Sequence, residues 1–448
     1  MPTWRKIQRK TVATFFPPAK RTRAIGKEVD MPDHPEPRWR ILTCSNPEYF
    51  RKRAKTLLKQ FRLGEAEATD LFSVFHPDTP TTNSAKLTDA QLVLARAHDY
   101  PSWPKFQRAI ALFNAMLDDD PSAVMELIRQ HPSLLHERVN GVTSNWGPPL
   151  ACAAQIGSAG VFEALSKLPG QDVNWALDRA ILKGRRDIAQ RLVNAGVAPD
   201  PGAAMGPCES LNVAGLEFLA DIGAPLTDED GDRMAPVGML LEGYFRDPAA
   251  KHACLKFFER QGFEFPDTPM TAFHFGRLDR LRKFAQTDSS LLRRRFSYRD
   301  IYPIELGCHE DETLGLHGTP LAGTTLLHMA IDFDEVSIAE WLLDADADVN
   351  AGALVDKDGF GNHTPLFNIV VSQAYLSGRQ RDAALARTLI KHGADTTRRA
   401  TVRKGIRFIE DESVHEYRDV TAAEYAQAFH ARRWVSEEAI QAIRQSRQ

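Results

Sequence analysis

The stretch TTLLHMAIDFDEVSIAEWLLDADADVN, residues 324–350, carries the pattern that decides the fold. Leu327 and Ala330 are three residues apart, so their side chains lie on one face of a short first helix. Ile338 and Leu342 then belong to the apolar stripe of a second helix. Neither helix can bury its apolar face alone, which predicts that copies of this helix pair stack on one another.

The same register recurs elsewhere, which indicates internal repeats. Counting from Leu177, alanine, glycine and isoleucine stand at the positions that Ala330, Asp334 and Ile338 occupy after Leu327. The glycine position permits the turn between the two helices, because glycine tolerates left-handed backbone angles. With weaker copies included, residues 111–448 contain about nine partly degenerate repeats.

Four short motifs resemble ankyrin repeats: HTPLFNIV (363–370), KHGAD (391–395), NAGVAPD (194–200) and TLLHMA (325–330). The resemblance covers about three quarters of the chain. It implies an all-α fold, an ankyrin-repeat solenoid in which helix–loop–helix units stack and finger loops protrude. It also implies recognition of a protein partner through the finger loops and the concave face.

Residues 46–110, before the repeats, are predicted to form a small helical module. Asn46 can cap a helix whose first turn holds a proline and an acid. A second helix is expected over 66–75, and Ser102 can cap a fourth. The segment LTDAQLVLARAHDYPSWPKF (87–106) is similar to the helical leader of a group of bacterial ankyrin-repeat proteins, which implies no common enzymatic activity.

The first residues of the chain are strongly basic. Residues 1–62 contain 16 Lys and Arg against 5 Asp and Glu, a charge of +11 in a chain whose net charge is −3. Such a segment could bind nucleic acid or an anionic membrane, but a solubilising leader explains it more simply. Residues 1–45 are rich in proline without periodicity and are predicted to be disordered, and Met31 is an alternative start.

Two insertions interrupt the repeats. Residues 296–322 show no helical period, whereas residues 398–421 alternate as a β-strand does and predict an extended hairpin with a polar turn at 410–413. Enlarged loops on one edge of a repeat array are where binding residues concentrate. We therefore expect the insertions to determine specificity.

Composition and motifs exclude several classes of protein. No apolar run is long enough to span a membrane, and the five scattered cysteines fit a reducing cytoplasm rather than a disulfide framework. Phosphate-binding, dinucleotide-binding, zinc-protease and serine-hydrolase motifs are all missing from the sequence. We therefore predict no catalytic residues and no cofactor.

Two acidic segments contain residue types that bind metals. DEDGD (228–232) places its glycine and its last ligand at the wrong positions for a calcium loop and is read as a finger turn. A second group has the residue types of zinc ligands but no recognised ligand spacing, so a solvated acidic loop explains it better. The group consists of Cys308, His309, Glu310, Asp311 and His317. The prediction is that the chain holds no metal.

Aromatic residues near the finger positions are the predicted partner-binding residues, because exposed Trp and Tyr often anchor interfaces; they are Trp146, Trp175, Tyr298, Tyr302 and Phe360. For Trp175, packing against the neighbouring repeat is an equally good explanation.

The function expected from these patterns is that of a monomeric adaptor without catalysis, which binds a protein partner through finger loops and the concave face. Two alternatives stay open. One is a nucleic-acid-associated regulator that uses the basic segment 1–62. The other is an unrecognised enzyme with a site in the inserted loops, since catalytic groups can assemble from distant parts of a chain.

His328 in isolation suggests a metal ligand. Its position is taken by Phe367, Ala151 and Asp178 in the sister copies, so no shared reaction can require it. We predict that His328 forms hydrogen bonds at the start of its helix and links neighbouring finger loops.

Overall fold

The computed structural model describes residues 47–98, 100–139, 146–243, 245–308, 318–405 and 414–446. The predictions for the 1–45 leader, the turn at 410–413 and most of the 308–317 acidic group fall outside these ranges. The chain divides into two compact units, Met1–Pro199 and Asp200–Gln448. Within the described ranges, no helix has both the length and the apolar character to cross a membrane.

The first unit is helical. Its helices are α1 Pro47–Arg62, α2 Ala66–Phe75, α3 Leu87–Ala97, α4 Trp103–Leu117, α5 Pro121–Gln130, α6 Pro149–Ile156, α7 Ala159–Leu165, α8 Val173–Leu182 and α9 Arg186–Asn194. Helix α1 buries Phe50, Ala54, Leu57 and Phe61, which recur at helical spacing and form its apolar face. Phe61 stacks on Phe72 of α2 with 3.8 Å between ring centroids.

The predicted module boundary at residue 110 falls inside α4, which packs against both α1 and α5. From there the unit continues as helix pairs. Gly157, the turn glycine between α6 and α7, has φ +88°, a value that favours glycine. The carboxylate of Asp119 accepts hydrogen bonds from the amides of Gly160 and Val161 and so caps α7.

The second unit continues the helix pairs. Its helices are α10 Met205–Glu209, α11 Val213–Asp221, α12 Ala235–Glu242, α13 Pro248–Arg260, α14 Pro269–His274, α15 Leu278–Thr287, α16 Tyr298–Ile301, α17 Leu326–Asp332, α18 Val336–Asp344, α19 Pro365–Val370, α20 Gln373–Leu376, α21 Ala384–Lys391, α22 Ala422–Ala428 and α23 Glu437–Gln445. The stretch that decided the fold forms α17 and α18. Asp334 replaces glycine in their turn with φ +60°, and its carboxylate accepts hydrogen bonds from Arg379 and Gln380.

The second insertion forms the predicted hairpin. Strands β1 (Arg399–Gly405) and β2 (Val414–Thr421) pair antiparallel, with a register irregularity between Ala400 and Val402. The described chain is therefore mostly helical, with this hairpin as its small sheet. Alternation of polar and apolar residues along the strands carried the signal for this hairpin.

The first insertion contains helical structure that its sequence did not indicate. Ser297 and Asp300 form a capping box that closes the single turn of α16. A turn this short has no measurable period, so only the cap could have predicted it.

Backbone hydrogen bonds connect successive finger loops of the second unit. The Gly323 amide donates to the Phe296 carbonyl (2.7 Å), and the Leu354 amide donates to the Gly323 carbonyl (2.9 Å). The Gly361 amide donates to the Thr401 carbonyl of β1 (2.7 Å). Backbone hydrogen bonds thus join each finger loop to the next, and the last of these loops is bonded to strand β1 of the hairpin.

Candidate functional site

Several first helices of the second unit are buried on every side. All residues of α12, α17 and α19 are buried. In a simple stack of helix pairs, a first helix exposes one face to solvent or to a ligand. Other parts of the chain must therefore cover these helices, and the two insertions supply part of that cover.

The centre of the covered region is an ion pair. Arg246 donates from Nη2 (2.8 Å) and Nε (3.0 Å) to Oδ2 of Asp332, and both side chains are almost fully buried. Nη1 also donates to the Gly243 carbonyl at 2.6 Å, and the guanidinium lies 4.1 Å from the ring centroid of Phe333. Burial raises the pKa of Asp332, and the charge of Arg246 opposes that rise.

A lysine and a histidine lie beside this ion pair. Lys251 Nζ is 2.8 Å from Nδ1 of His274, and His274 Nε2 donates to the Ile301 carbonyl of the first insertion at 2.7 Å. Burial lowers the pKa of Lys251 to about 7. Burial and the neighbouring Lys251 hold the pKa of His274 well below its ordinary value. His274 is therefore a neutral imidazole that accepts at Nδ1 and donates at Nε2.

The first insertion places its tyrosines against the same region. The Tyr298 hydroxyl donates to Oε1 of Glu242 at the end of α12 (3.0 Å). Tyr302 is completely buried, and Tyr298 is nearly so. Both were predicted as partner-binding residues, but here they pack inside the chain because the insertion folds back onto α12.

The hairpin reaches the same place. Lys404 of β1 is buried, and burial lowers its pKa to about 8, while the carboxylate of Asp332 opposes the change. We call Arg246, Lys251, His274, Asp332 and Lys404 the buried charge cluster. Both insertions thus contact one cluster, which connects them to the first helices. Arg246 and Asp332 are paired and hydrogen-bonded, as buried charges require, and the carboxylate of Asp332 also favours the charged form of Lys404.

Phe360, which was also predicted as a partner-binding residue, is buried as well. The guanidinium groups of Arg403 and Arg418 lie 4.4 Å and 4.8 Å from its ring centroid. Arg403 also pairs with Asp356 and Asp358 in the turn that precedes Phe360. The hairpin therefore packs on this finger loop and covers the ring.

Trp146 and Trp175, the predicted binding residues of the first unit, keep part of their surface exposed. Trp146 packs edge-on against Phe113, with centroids 5.5 Å apart. The ring of Trp175 lies under Arg138 and so close to Gly147 that a Cβ there would be 2.9 Å from it. Packing between neighbouring loops accounts for Trp175, and a binding role for either ring stays a prediction.

Two adjacent, strongly exposed aliphatic side chains of the second unit were not among the predicted binding residues. Leu354 is 60% exposed and Val355 is 57% exposed. They lie on a finger whose backbone bonds to Gly323 on one side and, through Gly361, to Thr401 on the other. Their position, as two adjacent apolar residues before the turn of a finger loop, could have indicated a binding role. The prediction missed them because it considered only aromatic residues.

His328 and His363 connect finger loops, as predicted for His328. Nδ1 of His328 accepts from the Thr325 amide (3.3 Å), and its Nε2 donates to the His363 carbonyl (3.0 Å). His363 in turn donates from Nε2 to the Pro320 carbonyl (3.0 Å). Burial lowers the pKa of His328 to about 3 and that of His363 to about 4.

These two histidines predict acid sensitivity. Both are neutral when folded but take up a proton near pH 6.5 when unfolded, so their contribution is present above pH 6.5 and is lost as pH falls toward 4 and 3. At pH 5 we expect a loss on the order of 1–2 kcal/mol per histidine in the free energy of urea unfolding, relative to pH 7. His363→Gln should show a smaller loss, because glutamine does not titrate. An equal loss in both proteins would contradict this assignment.

Comparison with known proteins identifies one repeat. Residues 322–353 match the family model of the ankyrin repeat. No curated protein matches the chain. The chain therefore contains an ankyrin repeat, built from α17, α18 and the start of the finger that carries Leu354. The total of nine repeats and their assembly into one solenoid stay predictions.

Proposed function

We propose that this ankyrin-repeat-containing chain is a protein-binding scaffold whose second unit binds its partner through the finger loops. The observation that carries the proposal is the exposed pair Leu354 and Val355 on a finger that backbone hydrogen bonds hold from both sides. Ankyrin repeats generally mediate protein–protein interaction. A rigid loop that exposes adjacent aliphatic side chains loses little conformational entropy on binding and gains apolar burial.

The covered first helices support the choice of the fingers over the concave face. With Tyr302 and Lys404 packed into the buried charge cluster, α12 and α17 present no free side chain to a partner. A partner would have to displace both insertions before it could contact these helices. The fingers need no such rearrangement.

A role without catalysis is also part of the proposal. Lys251 has the lowered pKa that a catalytic amine often shows. However, its amine is enclosed between His274 and the ring of Phe333, 4.2 Å away. This environment supports a structural part for Lys251 in holding the first insertion. The free, buried thiols of Cys152, Cys208, Cys254 and Cys308 support a reducing compartment.

The finger proposal predicts the effect of a double substitution. Leu354→Asp with Val355→Asp places two charges where apolar contact is needed, so we expect partner recovery in affinity purification to fall by about tenfold or more. Leu63→Asp is the matched control, since Leu63 is 67% exposed in the other unit. Recovery that falls equally in both variants, or in neither, would refute a role for this finger.

A further inference from the structure

A basic segment runs toward the exposed finger. Residues 277–299 contain eight Lys and Arg against two Asp and Glu, a charge of +6. The chain after residue 62 carries −14 in total, so this segment is opposite in sign to the chain in which it lies. A local excess of one sign attracts a partner of the other sign and speeds its association.

Some of these cations are already neutralised. Arg277, Arg280 and Arg294 pair with Glu259, Asp267 and Asp288. The five others are exposed and form no ion pair with any carboxylate in the described ranges; they are Arg282, Lys283, Arg293, Arg295 and Arg299. Their charge is therefore available to a ligand.

The end of the basic segment lies beside the exposed finger. Arg295 donates from Nε to the Gly352 carbonyl (2.8 Å), two residues before Leu354. Between them runs Gly323, whose backbone bonds to Phe296 and to Leu354. A Cβ on Gly323 would lie 2.8 Å from Cβ of Leu354, so glycine is needed for this close approach.

The acidic residues nearest in sequence to the finger do not neutralise the positive charge of the basic segment. Asp356 and Asp358 follow the apolar pair, but both are engaged by Arg403 of the hairpin. Asp348 accepts a hydrogen bond from the Asn350 amide, in the turn before the finger. No ion pair links any of these carboxylates to residues 293–299 within the described part of the chain.

We propose that Arg293, Arg295, Arg299, Leu354 and Val355 form one surface, the basic finger surface, that binds a peptide segment with acidic residues beside an apolar anchor. Arginine binds carboxylates through two parallel hydrogen bonds, and the two aliphatic side chains accept the anchor. Nucleic acid fits less well, because the surface offers aliphatic groups rather than aromatic rings for stacking. This inference rests on the proposed function and specifies the chemical character of the protein partner.

The test is selection of a random phage-displayed peptide library on the full chain, followed by fluorescence anisotropy with the enriched peptides. We expect enriched peptides to be acidic and to contain at least one large apolar residue. Their affinity should fall by about tenfold or more in Arg293→Glu with Arg299→Glu, and also in Leu354→Asp. Arg387→Glu is the control, because Arg387 is exposed on α21 outside this surface.

Three results would overturn the inference. The first is enrichment of peptides without an acidic excess, or no enrichment at all. The second is equal affinity for the arginine variants and the control. The third is a single-stranded oligonucleotide that binds more tightly than the peptides and is lost in the same variants. If partner recovery still depends on Leu354 and Val355 in these cases, the proposed function stands and only the acidic chemistry is wrong.

Discussion

Asp332→Ala is expected to destabilise the second unit by about 3–5 kcal/mol in urea unfolding. The substitution leaves the Arg246 guanidinium buried without its carboxylate, and an unpaired buried charge is among the most costly defects in a protein interior. The Asp332 carboxylate also favours the charged forms of Lys251 and Lys404, so its loss would lower the pKa of both amines further. Because both insertions contact this cluster, we expect their packing to loosen before the rest of the unit unfolds.

A double-mutant cycle separates the pair from its surroundings. Arg246→Met with Asp332→Leu removes both charges and should recover most of the lost stability, since buried ion pairs are replaced by apolar groups at little cost. The exposed pair Arg260–Glu217 is the control, and its loss should cost less than about 1 kcal/mol. Equal losses at the two pairs would show that the buried charge cluster does not hold the second unit together.

The helix pairs and the hairpin could be predicted because their signals are local. Leu327, Ala330 and Ile338 define two helix faces within a dozen residues, and alternation along 398–421 defines a strand pair. His328 could be assigned because internal repeats supply sister positions for comparison. In each case the residues that form the structure are near one another in the chain or recur at a fixed spacing.

The buried charge cluster could not be predicted in this way. Arg246 and Asp332 are 86 residues apart, and the repeat pattern around Asp332 gives no indication of a partner at Arg246. Tyr298 and Tyr302 were expected to be exposed because nothing in the sequence shows that the first insertion folds back onto α12. Burial of an insertion is a tertiary property that depends on partners elsewhere in the chain, so the periodicity of the insertion itself does not report it.

Gly238→Ala is expected to destabilise the second unit by more than about 2 kcal/mol, although alanine normally stabilises a helix interior by about 0.5–1 kcal/mol relative to glycine. Gly238 lies in the middle of α12, where the first insertion approaches most closely. A Cβ there would lie 2.0 Å from the Gly307 carbonyl oxygen. That oxygen belongs to backbone, so the clash can be relieved only if the insertion moves away.

Urea unfolding and hydrogen exchange together test this expectation. In Gly238→Ala, amide exchange around Tyr298 and Ile301 should accelerate, because both residues belong to the insertion that carries Gly307. Tyr298 bonds to Glu242 of α12, and the Ile301 carbonyl accepts a hydrogen bond from His274 of α14. Gly378→Ala is the control, because nothing lies within 4 Å of its added Cβ. Unlike Gly238, Gly378 has a positive φ, so a cost of about 1 kcal/mol from backbone strain alone is expected there. A Gly238→Ala protein as stable as the unaltered chain would mean that the insertion does not pack on α12. The first helices would then be open to a partner, and the argument that directs binding to the fingers would lose its main support.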